Sequence, residues 1–273
     1  MSSKAGIGIA ITTYNRREQL LQLVQCLRRH THPKVPLVVF DDGSSDGSRE
    51  AVAPLVSAYI HGPNRGITVN KNRALYYFCK IRPAKRVLVL EDDVLISGDG
   101  WLKPWKRAID YHGHINLALA EWSKDGPEFH GGRGTARHPE RWTKVSGCVM
   151  GASTRLIRRR VGYLNPRFQR YGYEHAEWTE RWIAAGHGGA ITPRGRVYFA
   201  LSHGIRLQPS SSTGSAAAVE ANRTVFLELR QQGYPRVKRP WRTPEEKQSF
   251  LEPLRPERQK AREHNKACRQ NKP

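Results

Sequence analysis

The sequence lacks the long apolar stretch that a membrane-spanning helix requires. Such a helix takes about 20 consecutive apolar residues, and no run in this chain of 273 residues approaches that length. The first residues, MSSKAGIGIAITTYNRR, pass from apolar to polar positions without a small-residue cleavage site, so no signal peptide is expected. We therefore expect a cytoplasmic protein with no transmembrane segment.

Cysteine is scarce as well. The chain contains four cysteines, and no two of them form a Cys-x-x-Cys pair. Scattered cysteines indicate a reducing compartment, and their spacing disfavours a structural zinc site. The four are Cys26, Cys79, Cys148 and Cys268.

Acidic residues are few relative to basic ones. There are 24 Asp and Glu against 46 Lys and Arg, a net charge of +22. Residues 235–273 hold 12 basic and 5 acidic residues, which leaves 34 basic and 19 acidic residues, a net +15, in the first 234. A body this basic predicts a polyanionic partner, such as nucleic acid, an anionic glycan or an anionic membrane surface. The alternative is that the charge only aids solubility.

Strand and helix patterns alternate in the first hundred residues. Short connections between them predict a parallel sheet with helices on both faces, which is an α/β fold. The predicted strands are 6–14, 35–43, 58–62 and 86–94, and the predicted helices are 16–30, 48–56 and 70–80.

The second part of the chain is less regular. We expect one domain over 1–234, with a first half at 1–100 and an acceptor half at 101–234. A Gly-rich polar stretch at 125–141 predicts a mobile loop or lid, and 208–216 predicts a linker. Residues 235–273 are Pro-rich and charged without apolar periodicity, so they predict a flexible tail.

Polar and acidic residues follow three of the predicted strands. A stretch from Ile11 to Arg16 follows the first strand, Asp41 and Asp42 follow the second, and Glu91-Asp92-Asp93 follows the fourth. Parallel strands bring such loops to one edge of a sheet, where ligands of open α/β sheets bind. Three adjacent carboxylates repel one another unless a cation lies between them, so the last cluster predicts a divalent metal site. The alternative is an ordinary acidic turn.

These motifs resemble those of family 2 glycosyltransferases, which have the GT-A fold. The resemblance is carried in order by ITTYNR, VFDDGSSDGS, NRGITVNKNRAL and VLVLEDDV over residues 7–94, and more loosely to about 205. It implies a Rossmann-like, mostly parallel central sheet flanked by helices, with a small acceptor-side subregion. It also implies a nucleotide-sugar donor such as a UDP-sugar. The residues implied to contact the donor are Thr13, Tyr14, Arg16, Asp41, Asp42, Asn64, Gly66, Lys71, Glu91 and Asp92.

The same resemblance implies a metal ion, Mn²⁺ or Mg²⁺, on the family's Asp-x-Asp motif. That motif falls on Glu91-Asp92-Asp93, so Asp93 is the expected ligand and Glu91 departs from the pattern. His203, at the end of a late predicted strand, is a second candidate ligand, because imidazole and carboxylate together suit Mn²⁺. The alternative is an ordinary histidine in a turn.

The family also carries an acidic pair at a helix start, where a carboxylate acts as general base. The corresponding residues are Glu174 and His175, so the second acidic residue is replaced. We expect Glu174 to be the catalytic base, with His175 next, because an attacking hydroxyl must lose its proton. The alternative is that Glu174 only favours the start of the helix.

The expected function is metal-dependent transfer of a sugar to a hydroxyl on an anionic polymer. Hydroxymethylated bases of DNA, as in phage-type DNA, are the first candidate because of the basic body and the missing membrane anchor. A surface polysaccharide, a lipid-linked glycan or a protein is the alternative acceptor. A non-catalytic nucleic-acid-binding protein with a transferase-like fold is a further alternative.

Overall fold

A nine-stranded sheet runs through the part of the chain that this computed structural model describes, residues 6–209, 216–256 and 259. A separate two-stranded sheet lies beside it. The strands are β1 (Gly8–Thr13), β2 (Leu37–Asp41), β3 (Ala58–His61), β4 (Arg86–Glu91), β5 (Val94–Ile96), β6 (His114–Leu117), β7 (Glu140–Trp142), β8 (Val149–Ser153), β9 (Gly189–Thr192), β10 (Gly195–Leu201) and β11 (Ile205–Leu207).

Eight α-helical segments accompany the strands within the described residues. They are α1 (Arg17–His30), α2 (Ser48–Val52), α3 (Ile67–Tyr76), α4 (Leu102–His112), α5 (Thr154–Leu156), α6 (Glu174–Ala184), α7 (Ala216–Gln231) and α8 (Pro244–Leu251). A 3-10 turn, Ala53–Leu55, follows α2, and π-helical turns follow α3 and α5 at Tyr77–Ile81 and Ile157–Val161. None of the described helices is long and apolar enough to cross a bilayer.

The large sheet is mostly parallel, as predicted. Its strand order is β3-β2-β1-β4-β8-β6-β10-β7, and β9 pairs with the first four residues of β10. Strands β1, β2, β3, β4, β6 and β10 run in one direction, whereas β7, β8 and β9 run against them. Strand β1 lies between β2 and β4, with Thr13 opposite Asp41 and Thr12 opposite Glu91. The ends of these three strands therefore meet at one edge.

Two apolar cores cover the two faces of the sheet. Helix α1 buries Leu20, Leu23, Val24 and Leu27, the helical spacing seen in the sequence, and shares its core with α4. The other core contains residues of α3, α6 and the two π-helical turns. The result is a three-layer α/β architecture, which confirms the predicted fold class.

The expected flexible tail is wrong for residues 235–256. Trp241 is buried, and its ring centroid lies 5.5 Å from that of Tyr76 and 5.1 Å from that of Phe250. The side-chain amide of Asn72 donates from Nδ2 to the Pro240 carbonyl at 2.9 Å. This segment adds four buried apolar side chains to one core, although α8 is too short to show apolar periodicity. From 257 onward, all residues except 259 lie outside the described part.

The Gly-rich stretch 125–141 is hydrogen-bonded rather than only an open loop. The His130 amide donates to the Arg141 carbonyl at 2.8 Å, and the Arg133 amide donates to the His138 carbonyl at 3.0 Å. Strand β7 ends this hairpin and pairs with β10. The proposed lid therefore rests on the edge of the sheet. Most of the predicted linker 208–216 lies outside the described residues.

Candidate active site

Three loops converge at the carboxyl ends of β1, β2 and β4. The Asp42 amide donates to the Thr13 carbonyl at 3.0 Å. Asn15, with a left-handed φ of 50°, links the first two loops: its amide donates to Ser44 Oγ at 2.8 Å, and its Oδ1 accepts from the Ser45 amide at 2.9 Å. Asn15 and Ser44 were not among the predicted site residues, because the sequence does not show which side chains link the two loops.

The acidic cluster after β4 is tied to the loop after β1. Thr13 Oγ1 donates to Asp92 Oδ2 at 2.7 Å, and Arg16 Nη1 lies 3.2 Å from Asp92 Oδ1 and 3.2 Å from Asp93 Oδ2. Burial raises the pKa of Asp92 to about 7, although Thr13 and Arg16 oppose the shift. The predicted donor and metal residues of these two loops are therefore brought together.

A buried lysine joins the acidic cluster to the predicted catalytic helix. Lys71 Nζ lies 2.7 Å from Glu91 Oε1, 3.1 Å from Glu174 Oε1 and 3.2 Å from the Gly147 carbonyl oxygen. Its side chain is fully buried. Burial alone would lower the pKa of Lys71, but the two carboxylates outweigh it and raise the pKa above its usual value. Lys71 is therefore a buried cation that holds Glu91 and Glu174 in place.

Glu91, Asp93 and Cys148 form the metal-binding candidate of the described residues. One ligand atom from each lies within 4.8 Å of the others. Cys148 directly precedes β8, which pairs antiparallel with β4. The Glu91 amide donates to the Cys148 carbonyl at 2.8 Å. Burial, reinforced by Glu91, raises the pKa of the Cys148 thiol to about 12. The two carboxylate ligands suit a hard divalent cation such as Mg²⁺ or Mn²⁺.

His203 is not part of that three-residue group. It is exposed in the turn between β10 and β11, and its carbonyl accepts a hydrogen bond from Trp105 Nε1 at 2.9 Å. Its ligation of a metal stays a prediction. No sequence signal pointed to Cys148 instead, because only the antiparallel pairing of β8 with β4 brings it to the acidic cluster.

The predicted base residues begin helix α6, directly after Tyr173 with its left-handed φ of 65°. Glu174 is buried, and its Oε2 accepts from the Gly172 amide at 3.2 Å. Burial would raise the pKa of Glu174, but Lys71 and then His175 hold it well below its usual range. A carboxylate of such low pKa accepts a proton poorly.

His175 lies beside Glu174 but is more accessible. Its Nδ1 is 3.4 Å from Glu174 Oε1, and 20% of its side chain is exposed. Gly147 makes room for this ring, since a Cβ at Gly147 would lie 2.7 Å from His175 Cγ. The histidine is thus oriented by its neighbours and open on one side.

The two aspartates after β2 are both buried and fully engaged. Asp41 accepts from the Ser44 amide at 2.9 Å and from Tyr59 Oη at 3.0 Å, and its Oδ2 lies 2.8 Å from His61 Nδ1. Asp41 therefore orders its own loop and the end of β3.

Asp42 holds the segment before α3. It accepts from the Arg65 amide at 2.9 Å and from the Gly66 amide at 2.7 Å, and it pairs with Arg73 Nη1 at 3.0 Å. Burial raises the pKa of Asp42 to about 6 in spite of these donors. Gly66 has a φ of 88°, which favours glycine. Two other predicted donor residues, Tyr14 and Asn64, are exposed at this edge.

The family model for glycosyl transferase family 2 matches residues 8–161, which is more than half of the chain. The chain belongs to glycosyl transferase family 2. No curated protein sequence matches the chain significantly.

Solved glycosyltransferase structures share the fold. GalNAc-T7 with UDP, GalNAc and Mn²⁺ matches with a TM-score of 0.63 and 12% identity, over 93% of this chain and 55% of that chain. S. aureus TarS 1–349 with UDP-GlcNAc matches with a TM-score of 0.54 and 17% identity, over 82% and 66%. The mannosyltransferase PcManGT from Pyrobaculum calidifontis, solved with GDP-Man and Mn²⁺, matches with a TM-score of 0.50 and 15% identity, over 74% and 55%. The chain thus spans about half to two thirds of the length of these three chains.

Proposed function

We propose that this chain transfers a sugar from a nucleotide-sugar donor to an acceptor hydroxyl, with a divalent cation at the acidic cluster. The observation that carries the proposal is the convergence of Glu91, Asp92 and Asp93 with the loops after β1 and β2 at one sheet edge. Family membership supports it, as do fold relatives solved with UDP or GDP-Man and Mn²⁺. That edge is where ligands of open α/β sheets bind.

The donor would lie across the loops that hold Thr13, Tyr14, Arg16 and Asn64. Tyr14 offers an exposed ring to a base or sugar, and Arg16 can turn from Asp92 and Asp93 towards a phosphate. A divalent cation held by Asp93 and Glu91 would neutralise the charge that develops on the diphosphate leaving group. Asp41 and Asp42 would order the loops that contact the nucleoside of the donor. Gly66 and Lys71 lie in the segment that would approach the sugar of the donor.

For the acceptor we propose that His175 takes the proton and Glu174 positions it. What supports this order over the reverse is the burial of Glu174 and the engagement of both its oxygens, against the partial exposure of His175. A general base must reach the acceptor hydroxyl within hydrogen-bond distance.

The acceptor that the charge favours is an anionic polymer, with hydroxymethylated bases of DNA as the first candidate. The net charge of +22 supports such a partner. A base in a duplex would have to leave the stack to reach His175. Cysteines that are free among the described residues, Cys26, Cys79 and Cys148, support a reducing, cytoplasmic compartment for this reaction.

Donor hydrolysis tests the donor and metal assignments. We expect the wild-type chain to release nucleoside diphosphate from a UDP- or GDP-sugar with Mn²⁺ or Mg²⁺ and not with EDTA. Asp93→Ala should lose at least about 100-fold of this metal-dependent rate while unfolding at an unchanged temperature. Asp125→Ala, an exposed aspartate in the hairpin, is the matched control and should keep the rate. Equal, metal-independent turnover in Asp93→Ala would overturn the assignment.

Radiolabelled donor tests the acceptor. Transfer to DNA that contains hydroxymethylpyrimidines, and not to unmodified DNA, supports the DNA candidate. Transfer to a polysaccharide, a lipid-linked glycan or a protein with none to DNA would replace it. DNA binding without turnover of any donor would favour the non-catalytic alternative.

A further inference from the structure

Ten basic side chains lie on one face of the molecule, away from the candidate active site. Three chain segments carry them, 80–85, 155–160 and 236–239, and these segments contain ten Lys and Arg and no Asp or Glu. We call these three segments the basic face. None of the ten forms an ion pair with a carboxylate of the described residues, in contrast to Arg16, Lys71 and Arg73. Their charge is therefore available to a partner.

The basic face is continuous although its segments are distant in sequence. The Thr154 amide donates to the Lys85 carbonyl at 3.2 Å, which joins the first two segments. The Tyr163 amide donates to the Val237 carbonyl at 3.0 Å, and the Arg236 guanidinium donates to the Arg158 carbonyl, which join the second and third. Residues 236–239 of the C-terminal region therefore complete the face.

Two of the three segments of the basic face lie at the opposite edge of the sheet from the acidic cluster. Strand β4 begins at Arg86, next to segment 80–85, and ends at Glu91. Strand β8 runs the other way, from the Cys148 side of the candidate site to Ser153, directly before segment 155–160. These two segments are therefore separate from the candidate active site.

The apolar side chains of the basic face turn inward. Ile81, Ala84 and Ile157 are buried, and Leu156 and Val237 pack against the same core. The large apolar side chains that are exposed among the described residues lie elsewhere in the chain. The face thus presents charge without the apolar or aromatic anchors that insert into a bilayer. Seven of its ten cations are arginines, whose planar guanidinium pairs with phosphate oxygens in a fork.

We propose that the basic face binds the phosphate backbone of a nucleic-acid duplex and holds it while the opposite edge of the sheet carries out the reaction. This inference rests on the proposed function in taking DNA as the polymer, but it concerns binding and not turnover. Phosphate contacts of this kind are independent of base sequence and weaken as salt rises.

Fluorescence anisotropy with a labelled 20-base-pair duplex tests the inference in the full chain. The patch variant carries Lys80→Glu, Arg159→Glu and Lys238→Glu, one exposed residue from each segment. The matched control reverses three exposed cations of α4, Lys103→Glu, Lys106→Glu and Arg107→Glu, on the other face of the sheet. Both variants change the net charge by the same amount, so a general loss of positive charge affects them equally.

We expect the patch variant to bind the duplex at least about tenfold more weakly, and its log–log salt dependence to be shallower by about 2 to 3. The control should stay within about threefold of wild type, and both variants should keep the wild-type rate of donor hydrolysis. Equal weakening of both variants would overturn the inference, as would an unchanged affinity of the patch variant. Loss of binding to vesicles containing phosphatidylserine, with duplex binding intact, would assign the face to a membrane instead.

The two proposals fail separately. If the wild-type chain binds the duplex through the basic face but turns over no donor, the proposed transferase function fails and this inference stands. If donor turnover is normal and the duplex ignores the basic face, the inference fails and the proposed function stands.

Discussion

Among single residues, Lys71 makes the most consequential contacts of the candidate site. Its ammonium is enclosed by Glu91, Glu174 and the Gly147 carbonyl, without contact with solvent. The sequence placed Lys71 in the donor segment, and Glu91 and Glu174 in two other motifs. Only the packed structure shows that one ammonium pairs with both carboxylates, because α3, β4 and α6 meet at this point.

Replacement of Lys71 by methionine should destabilise the protein. The change leaves the buried Glu174 and the partly buried Glu91 near each other without the lysine charge between them, so the free energy of unfolding should fall by about 3–5 kcal/mol at neutral pH. Urea unfolding followed by circular dichroism measures this. Lys85→Met, at an exposed lysine, is the control and should change stability by less than about 0.5 kcal/mol. An unchanged Lys71→Met stability would show that the buried ammonium is not the counter-ion of these carboxylates.

Replacement of His175 should affect catalysis more than stability. If His175 accepts the proton, His175→Ala should lower kcat by about 10²–10⁴ with little change in KM for the donor. His175→Asp, which restores a carboxylate, should recover part of the rate. Steady-state kinetics of each variant with a saturating donor provide the measurement. The opposite result, in which Glu174→Gln abolishes turnover and His175→Ala keeps it, would return the role of base to Glu174.

At the scale of secondary-structure elements, the first half of the chain could be predicted closely. Its strands are continuous apolar runs, and α1 has apolar residues at helical spacing, because each element buries its own pattern in a core. Strands β5, β7, β9 and β11 were not predicted. They have three or four residues each and pair at sheet edges, where one face stays polar and no periodicity develops.

The candidate site was predictable to the same degree. Loops that follow regular parallel strands could be assigned to one edge, and the structure joins Thr13, Arg16, Asp92 and Asp93 there. Cys148 could not be predicted, because its position depends on the antiparallel direction of β8. The sequence does not encode strand direction in a local pattern.

The C-terminal segment yields a prediction at this scale. Trp241 packs between Tyr76 and Phe250, so Trp241→Ala should lower the free energy of unfolding by about 3–5 kcal/mol. Thermal unfolding of the full chain measures this. Leu227→Ala, at a side chain that is 44% exposed, should change stability by only a few tenths of a kcal/mol. Equal small effects of both changes would mean that residues 235–256 contribute little to the core in solution.

Across the whole molecule, charge is separated and not evenly spread. The buried carboxylates Asp41, Asp42, Asp92 and Asp93 lie at the carboxyl edge of the sheet, and segments 80–85 and 155–160 of the basic face lie at the opposite edge. Between them the interior contains a buried histidine, His114, stacked on Trp182 at a centroid distance of 5.1 Å. Its Nδ1 lies 2.9 Å from the Gly151 carbonyl oxygen, and its Nε2 lies 3.1 Å from Thr179 Oγ1.

His114 should make a destabilising contribution in mild acid, whereas the raised pKa values of Asp42 and Asp92 act in the opposite direction. Burial lowers the pKa of His114 to about 3 from an ordinary value of 6.5. Between these values the unfolded chain binds the proton and the folded chain does not, so stability is lost as the pH falls below about 6.5. From pH 6.5 to 4.5 His114 alone should account for about 2–3 kcal/mol.

His114→Gln isolates this contribution, because glutamine keeps a polar side chain but does not titrate. As the pH falls from 6.5 to 4.5, the free energy of unfolding of the variant in urea should rise relative to that of wild type by about 2–3 kcal/mol. His138→Gln, at an exposed histidine, should follow the wild-type curve. Identical pH dependence in all three proteins would show that burial does not lower the pKa of His114.

Strand β8 also fixes the distance between the acidic cluster and the basic face. All five of its residues pair with β4 and three of them pair with β6, and it connects Cys148 beside the acidic cluster to Thr154 beside the basic face. The six residue steps from Cys148 to Thr154 span about 20 Å of extended chain, which cannot stretch. A duplex rises by about 3.4 Å per base pair, so this distance of about 20 Å corresponds to about six base pairs. A polymer bound at the basic face would place its reacting unit at a fixed distance from the phosphates that the face contacts. The positions that are modified would then be set by this distance and not by the base sequence.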